Sequence, residues 1–143
     1  MAKHLIDKDL VLSKISTIRS NLRRLSDMTN KSESEFISDY ISVSASERLL
    51  QVAIEAFLDI GHHIIAKKGF DRPAEYRDIM IILGKEGVIP PEFAEKVKVM
   101  ASFRNRLVHL YDKISEKELY SILKNHLKDI ENFITYIVSY LEL

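Results

Sequence analysis

Residues 32–69 read SESEFISDYISVSASERLLQVAIEAFLDIGHHIIAKKG, with no proline anywhere in the run. Phe36, Tyr40, Val43, Leu50, Ile54, Phe57, Leu58, Ile64 and Ile65 recur at helical spacings, so the segment predicts one long helix. Ser32 and Glu35 form a capping box at its start, the hydroxyl accepting from the Glu35 amide while the carboxylate reaches back. Lys67 and Lys68 give a basic last turn, and Gly69 suits the left-handed position that follows. The apolar positions exceed what one stripe requires, which places this helix inside a bundle or leaves a face for a second copy.

Helical patterns flank it on both sides. Upstream, Val11, Ile15, Ile18, Leu22 and Leu25 mark a first helix from about Lys8 to Met28. Downstream, Asp71-Arg72-Pro73 opens a short third helix that ends around Gly84 or Gly87, with Pro73 in its first turn. Pro90-Pro91 turns the chain into a fourth helix from about Glu92, with Phe93, Val97, Met100, Phe103 and Leu107 on one face. Ser115 and Glu118 repeat the capping box ahead of a last helix that carries Leu119, Ile122, Leu127, Ile130, Phe133, Ile137 and Leu141. The expected fold is all-α, a single domain over residues 1–143, built as an antiparallel bundle of four long helices plus one short connecting helix. Tyr40, Tyr136 and Tyr140 are expected to cover one another inside it.

The bulk composition narrows the function classes. The chain has no cysteine, which removes disulfides, thiolate metal sites and a cysteine nucleophile and suits a reducing, cytoplasmic setting. Its first residues form no apolar leader, and no stretch of about 20 apolar residues suggests a membrane span. Lys+Arg and Asp+Glu both number 21, so the net charge is zero. Nonspecific nucleic-acid binders are usually basic overall, so contact with RNA must be concentrated in one local groove.

The octet Arg104-Asn105-Arg106-Leu107-Val108-His109-Leu110-Tyr111 carries the chemistry, with Arg104, His109 and Tyr111 in the spacing R-x4-H-x-Y. Histidine ordinarily titrates near neutrality and can take a proton from a ribose 2′-hydroxyl, and arginine offers phosphate a permanent cation with a fork of donors. Together they suffice for phosphodiester transfer without a metal or other cofactor. On a continuous helix, positions 104 and 109 stand about 140° apart. The pair can converge only if the helix loosens near His109 or if two chains share a site, as a symmetric dimer would allow. The plainer alternative pairs Arg104 and Arg106 with acidic neighbours and leaves His109 and Tyr111 closing a helix end.

The order of these elements resembles the HepT-like family of HEPN/MNT toxin–antitoxin pairs across nearly the whole chain. The resemblance runs through Glu47 to Ile65, Leu83 to Pro90, and Met100 to Tyr111, and is strongest in the octet. It implies a homodimeric HEPN-fold ribonuclease toxin of a type VII pair, acting on mRNA or tRNA and neutralised by a partner with a minimal nucleotidyltransferase fold. By position it implies Arg104 and His109 as the catalytic pair, Asn105 and Arg106 as groups that bind or orient RNA phosphate, and Tyr111 as the acceptor of AMP from the partner. A second function remains open, a noncatalytic helical subunit that binds RNA or nucleotide for its nucleotidyltransferase.

Other polar groups carry weaker signals. Arg48 and Gln51 could line an RNA groove, against a solvated or salt-bridged face. Asp59, His62 and His63 invite a metal reading, but adjacent histidines on a helix diverge and only Asp59 and His63 share a face, so no metal site is expected. Arg19, Arg23 and Arg24 form a basic stretch whose ordinary fate is a solvated face.

Overall fold

The computed structural model describes residues 5–109 and 113–143. Seven helices follow in order: α1 (Lys8–Met28), α2 (Glu33–Ser38), α3 (Tyr40–Lys68), α4 (Tyr76–Lys85), α5 (Pro91–Val108), α6 (Glu116–Asn125) and α7 (Leu127–Leu141). The all-α class and bundle architecture are as expected, and no strand occurs among the described residues. Two of the long helices are each divided, which raises the count.

The first division falls at Asp39. Its carboxylate accepts from the Ile41 and Ser42 amides, and Lys31 and the Ser42 hydroxyl donate to its other oxygen. A short acidic side chain that captures nearby backbone amides competes with the helical ladder, so the helix stops and restarts without glycine or proline. The Ser32 capping box forms as expected, but it starts the six-residue α2. Rotated away from α3, α2 sets Phe36 against Tyr120 of α6, while Tyr40 begins α3 at 76% exposure. Tyr40 therefore does not join Tyr136 and Tyr140, which pack on the core. The second division falls at His126, where φ −119° and ψ −8° bend the chain between α6 and α7.

α3 is the axis of the bundle. It runs antiparallel to α1, as three successive links show: the Asp7 amide to His63 Nε2, Lys14 to Asp59, and the Asn21 amide group to the Leu49 carbonyl. Phe57 meets Phe133 of α7 edge-on with centroids 4.5 Å apart, a geometry worth about 1 kcal/mol beyond burial. The buried cluster draws on every helix. This accounts for the extra apolar positions of α3, which is long and apolar enough to cross a membrane yet spends that surface on its neighbours.

Glycine sets the approach of α4. A Cβ on Gly61 would stand 2.6 Å from Ile79 Cγ2, and one on Gly84 would stand 2.6 Å from Ala94 Cβ. Both distances are too short for a second carbon, so the two glycines let α4 lie against α3 and α5. α4 starts three residues later than the sequence suggests, with Glu75 and Asp78 forming its own capping box, so Pro73 lies ahead of the helix. Gly69 closes α3 at φ 72° as expected, and Pro91 occupies the first turn of α5.

Candidate active site

α5 ends at Val108, and His109 takes the C-cap position with φ −85° and ψ 134° while its amide still donates to the Asn105 carbonyl. The helix therefore loosens at His109, one of the two ways the 140° separation could be relieved. His109 is exposed. Tyr111 lies outside the described residues.

Arg104 lies in a recess between α3, α4 and α5. Its guanidinium carbon lies 5.0 Å from the centre of the Tyr76 ring, its Nε lies 3.4 Å from Glu55, and its Nη1 donates to Asn105 Oδ1 at 3.4 Å. Glu55, Leu58, Asp59, Tyr76 and Arg104 line one pocket there, and His62, Tyr76 and Asn105 share the adjoining one, of about 370 Å³. The structure thus brings Arg104 and Asn105 together around Tyr76, and His109 is absent from the described lining of either pocket.

Arg106 is committed elsewhere. Its two terminal nitrogens donate to the two oxygens of Glu118 at 2.7 Å each, a fork-to-fork pair that joins the end of α5 to the start of α6. These bonds hold the Glu118 carboxyl below its usual carboxylate range. They also take Glu118 away from the second capping box, so Ser115 accepts from the Glu118 amide but the carboxylate does not reach back. The two arginines therefore differ in strength of engagement. Glu55 meets Arg104 through one long contact with both side chains about a third exposed, worth about 1 kcal/mol or less. A phosphate that makes two charge-assisted bonds of roughly 1.5–3 kcal/mol each can displace it.

α3 supplies the opposite wall. Arg48, Gln51, Glu55, Asp59 and His62 fall within about 80° of one another on that helix, which aligns the two groove candidates with the residues at the recess. Lys113 reaches Glu47 at 3.6 Å, so the chain beyond the octet returns to the same helix. Arg48 is exposed and Gln51 half-buried, one to two turns from Glu55. The metal alternative dissolves into helix-to-helix contacts: Asp59 is held by Lys14, and His63 accepts from the Asp7 amide, with burial lowering its affinity for a proton. No group of three metal-ligating side chains occurs among the described residues.

Sequence reasoning missed Glu55, Tyr76 and Glu118. Glu55 was findable, because it shares a face with Arg48 and Gln51 at helical spacing. Tyr76 and Glu118 gave no such signal, since their partners lie 28 and 12 residues away.

Comparison with known proteins places the chain among ribonuclease relatives. The family described as ribonuclease HepT-like matches residues 18–137. The chain is 29% identical over 136 residues to the tRNA nuclease HepT of Aphanizomenon flos-aquae, covering 95% of this chain and 92% of that one. It is 28% identical over 126 residues to the mRNA nuclease HepT of Shewanella oneidensis, covering 88% and 94%. Among solved structures, a tri-AMPylated Shewanella oneidensis HEPN toxin in complex with its MNT antitoxin superposes with a TM-score of 0.82 at 27% identity, covering 92% of this chain and 98% of that one. The match extends over the core helices as well as the octet, and on that evidence this chain belongs to the ribonuclease HepT-like family, whose all-α fold and ribonuclease toxin class are those expected from its sequence.

Proposed function

We propose that the chain cleaves RNA, an mRNA or a tRNA, without a metal, by attack of a ribose 2′-hydroxyl on its own phosphodiester. His109 takes the 2′-proton, the 2′-oxygen bonds to phosphorus, and the bond to the 5′-oxygen breaks, that oxygen leaving as a hydroxyl with a proton from water. Arg104 turns from Glu55 to the nonbridging oxygens as their charge grows, and Asn105 orients the same phosphate. Arg106, clamped to Glu118, holds the end of α5 in place. Arg48 and Gln51 extend the strand's path along α3. The observation that carries this reading is the helix end at His109, five residues after an arginine whose described ion pair is one long contact to Glu55.

The active unit is a homodimer that works in the cytoplasm. A two-fold pairing of octets lets each His109 meet the partner's arginine, and sedimentation should give a particle of about twice 16.5 kDa. The partner in regulation is a minimal nucleotidyltransferase antitoxin. Tyr111 attacks the α-phosphorus of ATP, pyrophosphate leaves, and the phenol proton passes to solvent. The bound nucleotide then competes with substrate phosphate for Arg104. Incubation with partner and ATP should raise the mass by multiples of roughly 329 Da, the increment of an added AMP. Tyr111→Phe should abolish the increase and keep cleavage. AMP on another residue overturns the assignment.

The zero net charge of the chain favours a second reading, a noncatalytic subunit that binds RNA or nucleotide for its nucleotidyltransferase. Expression without the antitoxin separates the two. The catalytic reading expects growth arrest that His109→Ala removes, cleavage indifferent to EDTA, and 2′,3′-cyclic phosphate ends. No arrest and no cleavage by the wild-type chain leaves the second reading standing.

A further inference from the structure

A second concavity lies between α1 and the bend that separates α6 from α7. It is an open groove of about 740 Å³, larger than either pocket at the recess. Arg23 faces it from α1, with Lys124 and Lys128 on either side of the bend. All three are exposed, and none has an ion-pair partner among the described residues. Arg19 and Glu131 close one end as a neutral pair at 3.1 Å, and Glu131 is the only carboxylate in the described lining. Leu22, Leu123 and Leu127 contribute apolar surface to the walls.

The three cations gather at one concavity of a chain whose net charge is zero. Around the recess most described cations are matched, Arg104 by Glu55, Arg106 by Glu118, Lys113 by Glu47 and Lys14 by Asp59, while Arg48 stands exposed on the α3 wall. Cations that face one concavity from both walls without a described carboxylate partner add their fields and form a region of positive potential. The groove has no aromatic side chain in its described lining on which a base could stack. Its chemistry is cationic rim over apolar wall, which suits phosphates at the edge and sugars against the leucines and reads no base.

We infer that the groove between α1 and α6–α7 is a sequence-independent binding site for the phosphate backbone of single-stranded RNA, separate from the octet, which holds the strand while the recess acts on it. The inference rests on the ribonuclease reading for the identity of the ligand. The site adds the attraction that the largely ion-paired recess lacks, and most of the salt dependence of RNA binding then belongs to Arg23, Lys124 and Lys128.

The test is binding of labelled oligouridylate to the full chain carrying His109→Ala, followed by fluorescence anisotropy across a salt series. Adding Arg23→Gln, Lys124→Gln and Lys128→Gln should weaken binding about tenfold or more at low salt. The slope of log affinity against log salt should fall by about 2, from roughly 0.7 for each of three single-strand contacts. A charge-matched triple outside the groove, Lys67→Gln, Lys68→Gln and Lys85→Gln, should bind as the parent does, and Arg23→Glu alone should reproduce most of the groove effect. Equal losses from both triples overturn the inference, because net charge would then be the cause. So does unchanged RNA binding, including the case in which the groove triple loses only its complex with the nucleotidyltransferase, which would make the groove a protein interface. If the wild-type chain fails to cleave RNA but the groove triple still loses binding, the catalytic reading fails and the groove stands.

Discussion

The recess beside α5 and the groove between α1 and α6–α7 hold their cations in opposite ways. In the recess Arg104, Arg106 and Lys113 each have a carboxylate partner within 4 Å, and Arg104 also lies over the Tyr76 ring. In the groove Arg23, Lys124 and Lys128 face solvent with no described carboxylate partner. A cation already paired attracts a distant polyanion weakly, because its field is cancelled beyond a few ångströms, but it is held in a defined position. An unpaired surface cation does the reverse. The difference teaches that a neutral chain can divide the handling of RNA between a place that attracts and a place that reacts.

The sharpest way to break this comparison is Arg104→Ala. With Arg104 acting on the transition state, cleavage should fall by about 10² or more in kcat/KM while the melting temperature hardly moves, because the side chain is part-exposed and its ion pair is weak. The groove triple should instead raise KM for RNA, by about tenfold if three phosphate contacts are lost. An Arg104→Ala chain that cleaves normally but binds RNA poorly would reverse the two roles.

Arg106 and Glu118 give a finer test. Arg106→Ala and Glu118→Gln each break the same fork at the α5–α6 joint, and each should destabilise the chain by about 1 kcal/mol, given that both side chains are about a third exposed. Cleavage should fall by the same few-fold in both, since the loss acts through the position of the helix end. A much larger loss in Arg106→Ala than in Glu118→Gln would show that Arg106 touches phosphate itself.

The smallest effect is on pH dependence. Glu118 titrates below its usual value because Arg106 donates to it, and Asp39 is lowered to about 2 because Lys31 and Ser42 donate to it. In both cases the folded chain binds the proton less readily than the unfolded chain. Their stabilising contributions are therefore fully present above the unfolded values and are lost as pH falls toward the lowered ones. Melting temperatures measured downward from pH 5 should decline, and Glu118→Gln should flatten the part of the decline nearest pH 4. A Glu118→Gln profile identical to the parent's would mean that the Arg106 pair contributes nothing to acid stability.

The elements were legible where a local pattern dictates them. The α1 stripe, the Ser32 capping box, Gly69 after α3 and Pro91 at the start of α5 all stand where the sequence places them. Asp39 broke the long helix because a side-chain cap outweighed continuous apolar periodicity, and periodicity does not register that competition. The Ser115 box formed only by half because Glu118 had a better partner in Arg106, whose two bonds at 2.7 Å exceed what one backbone amide offers. For the site, the octet pointed to Arg104, Asn105, Arg106 and His109, but the division of labour between the two arginines was not visible in it.

By itself, the sequence determined the all-α class, the order of the helices and the position of the octet at a helix end, because 3.6-residue periodicity, caps and the missing β pattern are all local properties of the chain. The tertiary structure alone decided which cations are spent and which remain available. Arg104 meets Glu55 across 49 positions and Tyr76 across 28, and Arg23 comes to face Lys124 and Lys128 only because α1 packs beside the bend before α7. The physical reason is that charge pairing depends on separation in space and on exposure, and both are set by how the helices pack.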